Sequence, residues 1–223
     1  MIEVESVYIN YLEKADVLKN ISLKVKSNEF IIIKGDSGAG KSTLLSCIAG
    51  LIKPRDGRII IDGKSINETY PSGTESIRRS TIGYLPQENC LINSMSLIEN
   101  ICLPIMLESE GYDWDEVRQK AIQLIEMIGL KGKESDFPSE LSGGEQRRAE
   151  IVRLLMRPKK IVMIDEPTKG LDKRYINIIN DVIAGLKERH LTLVISTHED
   201  SLITDYVDHV YILDNGSLYE KHL

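Results

Sequence analysis

A chain of 223 residues, 42% hydrophobic and 28% charged, has the make-up of one globular domain, with room for a sub-domain. Asp and Glu outnumber Lys and Arg by 34 to 28, and two Phe and one Trp are too few for base-stacking platforms; both argue against a nucleic-acid partner. No apolar stretch reaches the ~18–20 residues of a spanning helix, and MIEVESVYIN is neither a basic nor an apolar leader, so any work at a membrane is expected from outside the bilayer.

The first sixty residues read as strands. ISLKV (21–25) alternates apolar and polar, the period of a half-buried strand. SNE (27–29) reads as a turn in which Asn28 takes positive φ. FIIIK (30–34) is a continuous apolar run suited to a strand buried on both faces. The run LLSCIAGL after residue 43 reads as a helix, and DGRIIIDG (56–63) as a strand between two Asp-Gly turns. Residues 64 to 80 are polar and predict a loop with one helical turn, followed by a strand in TIGYLPQ (81–87).

A helical block comes next. Val117, Ala121, Leu124, Ile125 and Ile128 form one helical stripe, with Asp113 or Asp115 as its cap and Gly129 as its stop. SGGEQRRAEIVRLLMR predicts a further helix, ended by Pro158. IVMID (161–165), TLVIS (192–196) and HVYIL (209–213) are strands again, with a long helix over roughly 172–189. Strands alternating with helices predict an α/β fold with a mostly parallel core sheet. The block from about 90 to 158 reads as a helical sub-domain inserted into a core of about 1–89 and 159–223, all within one domain. Cys47, Cys90 and Cys102 show no CxxC or Cys/His spacing and read as free thiols of a reducing compartment.

Gly35-x4-Gly40-Lys41-Ser42 is a complete phosphate-loop pattern between a strand and a helix. Glycines let successive backbone N–H groups converge on phosphate oxygens, Lys41 brings charge to the β/γ-phosphates, and the Ser42 hydroxyl suits Mg²⁺. About 120 residues later IVMIDE ends a buried strand in two carboxylates, Asp165 for the metal and Glu166 for polarising a water. LSGGE (141–145) adds a second anion site: Ser142 is an N-cap residue, and two glycines open backbone N–H groups at a positive helix end. One chain has no need of two γ-phosphate sites for one nucleotide, unless the second serves a neighbouring copy.

Along essentially its whole length the chain resembles the ATP-binding cassette (ABC) ATPases, the motor subunits of ABC transporters. Gly35, Asp36, Ser37, Gly38, Ala39, Gly40, Lys41, Ser42 and Thr43 match the phosphate loop, and Gln87 in YLPQE matches the Q-loop. Leu141, Ser142, Gly143, Gly144 and Glu145 match the signature, Asp165 and Glu166 the acidic strand, Asp172 the D-loop, and His198 the switch histidine. Tyr11, or failing it Tyr8, sits where the family stacks an aromatic on adenine.

The resemblance implies a P-loop NTPase fold with an N-terminal antiparallel β part and the inserted helical sub-domain. It also implies ATP and Mg²⁺ as ligands, the metal held by Ser42, Gln87 and Asp165. Glu166, His198 and Gln87 would act in catalysis, and Asp172 would couple the two halves of a dimer. Residues 141–145 would contact ATP in trans, in a homodimer of two copies around two ATP. A separate membrane permease is implied, on the inner face of the cell membrane, with residues about 88 to 110 as candidate docking surface or as sub-domain core. GDSGAGKSTLL, IENICLPIML and FPSELSGGEQRR are similar to the ATPases of lipoprotein release, macrolide efflux, antimicrobial-peptide export and cell division. PTKGLD has Lys169 and Gly170 where that group often shows Gly-Ala or Gly-Asn, and AEIVRLLMRP replaces its more typical VAIARAL. The rival readings are a soluble non-transport ABC ATPase and a non-hydrolysing regulatory nucleotide binder.

Overall fold

The computed structural model describes residues 1–10, 16–66, 70–107, 111–200, 202 and 205–221. Its elements in chain order are β1 (Ile2–Ile9), β2 (Leu18–Val25), β3 (Phe30–Lys34), α1 (Lys41–Ile48), β4 (Asp56–Ile61), β5 (Lys64–Ser65), α2 (Ser72–Thr81) and β6 (Ile82–Leu85). They continue with α3 (Leu97–Met106), α4 (Trp114–Met127), α5 (Gly143–Met156), β7 (Ile161–Asp165), α6 (Lys173–Glu188), β8 (Thr192–Thr197), β9 (His209–Asp214) and β10 (Ser217–Lys221). They divide into two compact units.

The first unit holds Met1–Pro86, Lys159–Glu166 and Ile183–Leu223. One sheet has the order β2-β1-β4-β5 and is antiparallel; the other runs β10-β9-β3-β8-β7-β6 and is parallel except at the β10 edge. This is the expected α/β architecture. The apolar run of β3 is buried: β8 and β9 pair its two edges, and Ile31 and Ile33 lie in the cluster that also holds α1. Leu44, Leu45, Cys47 and Ile48 of α1 join residues of both sheets in one apolar cluster. The phosphate loop is therefore anchored at both ends, by β3 before it and by a buried helix after it. Asn28 takes φ 66°, as its turn requires, and its carbonyl accepts from Lys187 Nζ at 2.7 Å.

Two elements differ from expectation. Residues 72–81 form a ten-residue helix where a loop with one helical turn is predicted. Too few apolar residues lie there to draw a helical stripe; among its described side chains Thr74 and Ile77 are buried. Its charges suit the helix dipole, with Glu75 in the first turn and Arg78 and Arg79 in the last. The edge strand β10 is also unanticipated, because SLYEK shows no alternation of burial. Its signal is the turn: Asn215 and Gly216 both have positive φ (48° and 79°), the geometry of a tight hairpin.

The second unit holds Gln87–Pro158 and Pro167–Val182. Ala121, Ile125 and Ile128 of the predicted stripe are buried with Leu97, Ile101, Cys102, Ala149, Val152 and Met156. Of the two candidate caps of α4, Asp113 is the one used, accepting from Asp115 N at 2.9 Å and Glu116 N at 3.3 Å; Gly129 ends the helix at φ 73°. Within the candidate docking stretch, the described residues 88–107 are divided in their burial: Leu97, Ile101 and Cys102 are core, while Met106 and Leu107 are 41% and 71% exposed. Asn100, wholly buried, accepts from Ile92 N at 2.7 Å and donates to the carbonyls of Ile92, Met95 and Ser96, which fixes the turn before α3. No helix among the described residues is long and apolar enough to cross a membrane.

Candidate nucleotide site

In the first unit, the loop from Gly35 to Gly40 joins the end of β3 to the first turn of α1. A Cβ at residue 35 would lie 2.4 Å from Leu213 O, so the close passage of β9 admits only glycine. Gly40 precedes the helix at φ 102°, a conformation that an L side chain resists. Asp36, Ser37 and Gly38 are exposed, as is Ser42 in the first helical turn. Leu44 N already donates to Gly40 O at 2.9 Å; the N–H groups ahead of it belong to the loop and the positive end of the helix.

Lys41 is buried and curls back into its own loop. Its Nζ donates to Gly35 O at 2.7 Å and Asp36 O at 3.1 Å, and it pairs with Glu166 Oε1 at 3.2 Å. Glu166 follows β7 at φ 51°, strained for a glutamate by roughly 1–3 kcal/mol, and its N–H donates to Ser196 O at 3.0 Å. That bond ties the turn after β7 to the end of β8. The second carboxylate oxygen of Glu166 meets His198 Nδ1 at 2.8 Å. Lys41, Glu166 and His198 thus form one chain of polar contacts, buried at the lysine and glutamate and half exposed at the imidazole.

Asp165 is wholly buried and accepts a hydrogen bond from the Ser196 hydroxyl. Lys34, the last residue of β3, pairs with Asp200 just beyond His198. Of these two partners, Ser196 has a sequence signal, a hydroxyl next to the end of the buried strand β8, and Asp200 has none. Tyr11 lies outside the described residues. Tyr8, its fallback, carries the Arg55 guanidinium 5.5 Å from its ring centroid.

In the second unit, Gln87 is exposed, and Ser142 caps α5. Glu145 N donates to Ser142 Oγ at 3.4 Å, while Ser142 N and Oγ donate to Glu145 Oε2 at 2.9 and 3.0 Å. This capping box turns the Glu145 carboxylate back onto its own helix start, where Lys133 Nζ lies 2.8 Å away. The Lys133 contact, then the Ser142 N–H, pull the Glu145 carboxyl down to about 2. Gly143 and exposed Ser142 leave the first turn open, and Leu141 is buried beneath it. Asp172, exposed, stands just before α6.

A depressed carboxylate stabilises the fold when ionised. The contribution of Glu145 is complete above the ordinary carboxylate range near pH 4.5 and disappears as the pH falls towards 2. In urea unfolding, Glu145→Gln is expected to be less stable than the native chain at pH 6, with the gap closing towards pH 2. A gap independent of pH would contradict the ionic cap.

The family model described as ABC transporter matches residues 18–169. This chain belongs to the ABC transporter family. As a member it is an ATP-binding subunit and an ATPase. It is 31% identical to the lipoprotein-releasing system ATP-binding protein LolD 1 of Chlorobium chlorochromatii, over 93% of this chain and 84% of that one. It is 35% identical to the methionine import ATP-binding protein MetN of Carboxydothermus hydrogenoformans, over 99% of this chain but 66% of the relative's length. Among solved structures it matches the dimeric ATP-binding cassette MJ0796 bound to ADP and Pi, with a TM-score of 0.91 and 31% identity, over 100% of this chain and 99% of that one. A lipoprotein-release ATPase is thus among the relatives, and the methionine-import relative stands at the higher identity of the two.

Proposed function

We propose that this ABC ATPase is a transporter motor: two copies close head to tail around two ATP, and hydrolysis drives a separate membrane permease from the cytoplasmic side. The observation that carries hydrolysis, against a regulatory binder, is the buried carboxylate of Glu166 held between Lys41 and His198. A protein that only senses ATP has no use for a strained, desolvated base beside its phosphate loop.

When ATP enters, Lys41 exchanges the carbonyls of Gly35 and Asp36 for the β- and γ-phosphates. Backbone N–H groups from Gly35 to Thr43 cradle the phosphates, and the positive end of α1 attracts their charge. Glu166 then loses its lysine partner and accepts from the attacking water, while His198 turns to the γ-phosphate. Ser42 and Asp165 offer the hard oxygens that Mg²⁺ takes, and the Ser196 hydroxyl already orients Asp165. With Gln87 they would hold the ion, which supplies charge neutralisation on the phosphates. Tyr11 is proposed to stack on adenine.

In the second copy, Leu141, Ser142, Gly143, Gly144 and Glu145 face the same ATP, Glu145 shaping the turn through its cap. Asp172 couples one pocket to the other. The chain acts as one functional ABC ATPase domain of residues 1–223, its phosphate loop and acidic strand in a core of about 1–89 and 159–223. Its signature lies in a helical sub-domain of about 90–158.

The FPSELSGGEQRR and IENICLPIML stretches, with the lipoprotein-release relative, support a permease of the exporting or force-transmitting kind. Affinity capture from detergent-solubilised membranes tests this. A co-purifying integral membrane protein that raises ATP turnover is expected. Turnover without any membrane partner would favour a soluble non-transport ABC ATPase.

A further inference from the structure

Within the second unit one aromatic residue joins three segments that the nucleotide chemistry does not explain. Tyr175 stands in the first turn of α6, its N–H donating to Asp172 O at 2.8 Å. The Arg148 guanidinium of α5 lies 3.5 Å from the Tyr175 ring centroid, and Arg148 itself is 3% exposed. Arg148 Nε donates to Ile128 O at 3.0 Å, at the end of α4. On the Gly129 side, a Cβ added there would come within 3.4 Å of Tyr175 Cε1. The ring is thus approached by α5 and by the α4 terminus while it rides on the residues after Asp172.

The same surroundings bring the signature turn close to the D-loop. A Cβ added at Gly144 would sit 3.4 Å from both Gly170 O and Leu171 Cδ2, and 3.8 Å from Arg148 Nη1. Close backbone approach alone fixes distance but not register, because glycine offers nothing to grip. A planar cation on an aromatic face supplies the grip, and burial strengthens it by removing competing water. Burial also lowers the Arg148 pKa, the mark of a desolvated cation.

We infer that Tyr175 is a positioning residue: stacked on Arg148, it locks the 170–172 turn to the start of α5, so that both move as one piece towards the partner's nucleotide. The inference rests on the sandwich-dimer reading above. It adds a residue that touches neither ATP nor metal, and it makes dimer closure depend on an interaction inside each protomer.

The test measures ATP-driven self-association by sedimentation in the Glu166→Gln background, with and without Tyr175→Leu, Tyr175→Phe and Arg148→Lys. Tyr175→Leu removes the π-face at similar bulk, and Arg148→Lys keeps the charge but loses the planar stack. Each is expected to weaken ATP-driven association by roughly tenfold, with ATP affinity of the isolated protomer unchanged. Tyr175→Phe, which keeps the ring, is expected to restore association. Circular dichroism melting checks folding, and if Tyr175→Leu unfolds, Arg148→Lys carries the comparison. Undiminished association in the folded stack-breaking variants, or no rescue by Tyr175→Phe, overturns the inference. If the Glu166→Gln chain alone fails to associate with ATP, the dimer reading falls first, and this inference with it.

Discussion

Replacing Glu166 by Gln is expected to abolish ATP turnover, by roughly 10²–10⁴-fold, while ATP binding is retained. Glu166 has one carboxylate oxygen on Lys41 and the other on His198, and it sits at a strained φ immediately after the buried β7 strand. The amide keeps the size and can still be held in this turn, but it cannot accept a proton from water. Because the phosphate loop and Lys41 are untouched, ATP affinity should stay the same or rise, since the buried negative charge facing the γ-phosphate is gone. Single-turnover kinetics and nucleotide titration separate the two effects. Turnover at the native rate would remove Glu166 from the base's role.

The Lys41→Ala variant should fail differently, and in two ways. Without the ammonium, the β/γ-phosphates lose a charge-assisted partner, and ATP affinity is expected to fall at least ~100-fold. The nucleotide-free protein should also lose about 3 kcal/mol of stability, because Glu166, its side chain only 6% exposed, is left buried beside an absent cation. A double-variant cycle distinguishes this from simple loss of packing: Lys41→Ala with Glu166→Gln should recover most of the lost stability, but none of the lost affinity. If the single variant is as stable as the native chain, the lysine–glutamate pair contributes nothing to the apo fold.

The phosphate loop, the acidic strand end and LSGGE stand out in the sequence because each places its groups within a few residues; Gln87, Asp172, His198 and Tyr11 are singled out only by the family resemblance. Strand β3 and the α4 stripe were legible because burial imposes a period on them. What escaped the sequence depends on distant partners or on weak patterns. Helix α2 buries too few side chains to show a stripe, and β10 shows no alternation, although Asn215-Gly216 before it is a hairpin signal. Helix α3 lay inside an undivided helical block, yet Ser96 and Glu99 form a reciprocal cap that marks its start.

The Lys34–Asp200 pair joins residues 166 apart, and nothing in either neighbourhood predicts it. The same holds for Tyr175 and Arg148, whose pairing exists only once α5 and α6 are packed. Glu145 shows the opposite limit: S-x-x-E before a helical run announces a capping box, and the structure turns its carboxylate inward to the helix start accordingly.

In the proposed motor, two chains share each nucleotide. Sedimentation of the Glu166→Gln variant with saturating ATP and Mg²⁺ gives the answer in one number, the mass of the sedimenting species. Twice the protomer mass, returning to the protomer mass when ATP is removed, is the predicted result. A single protomer under saturating ATP would contradict it.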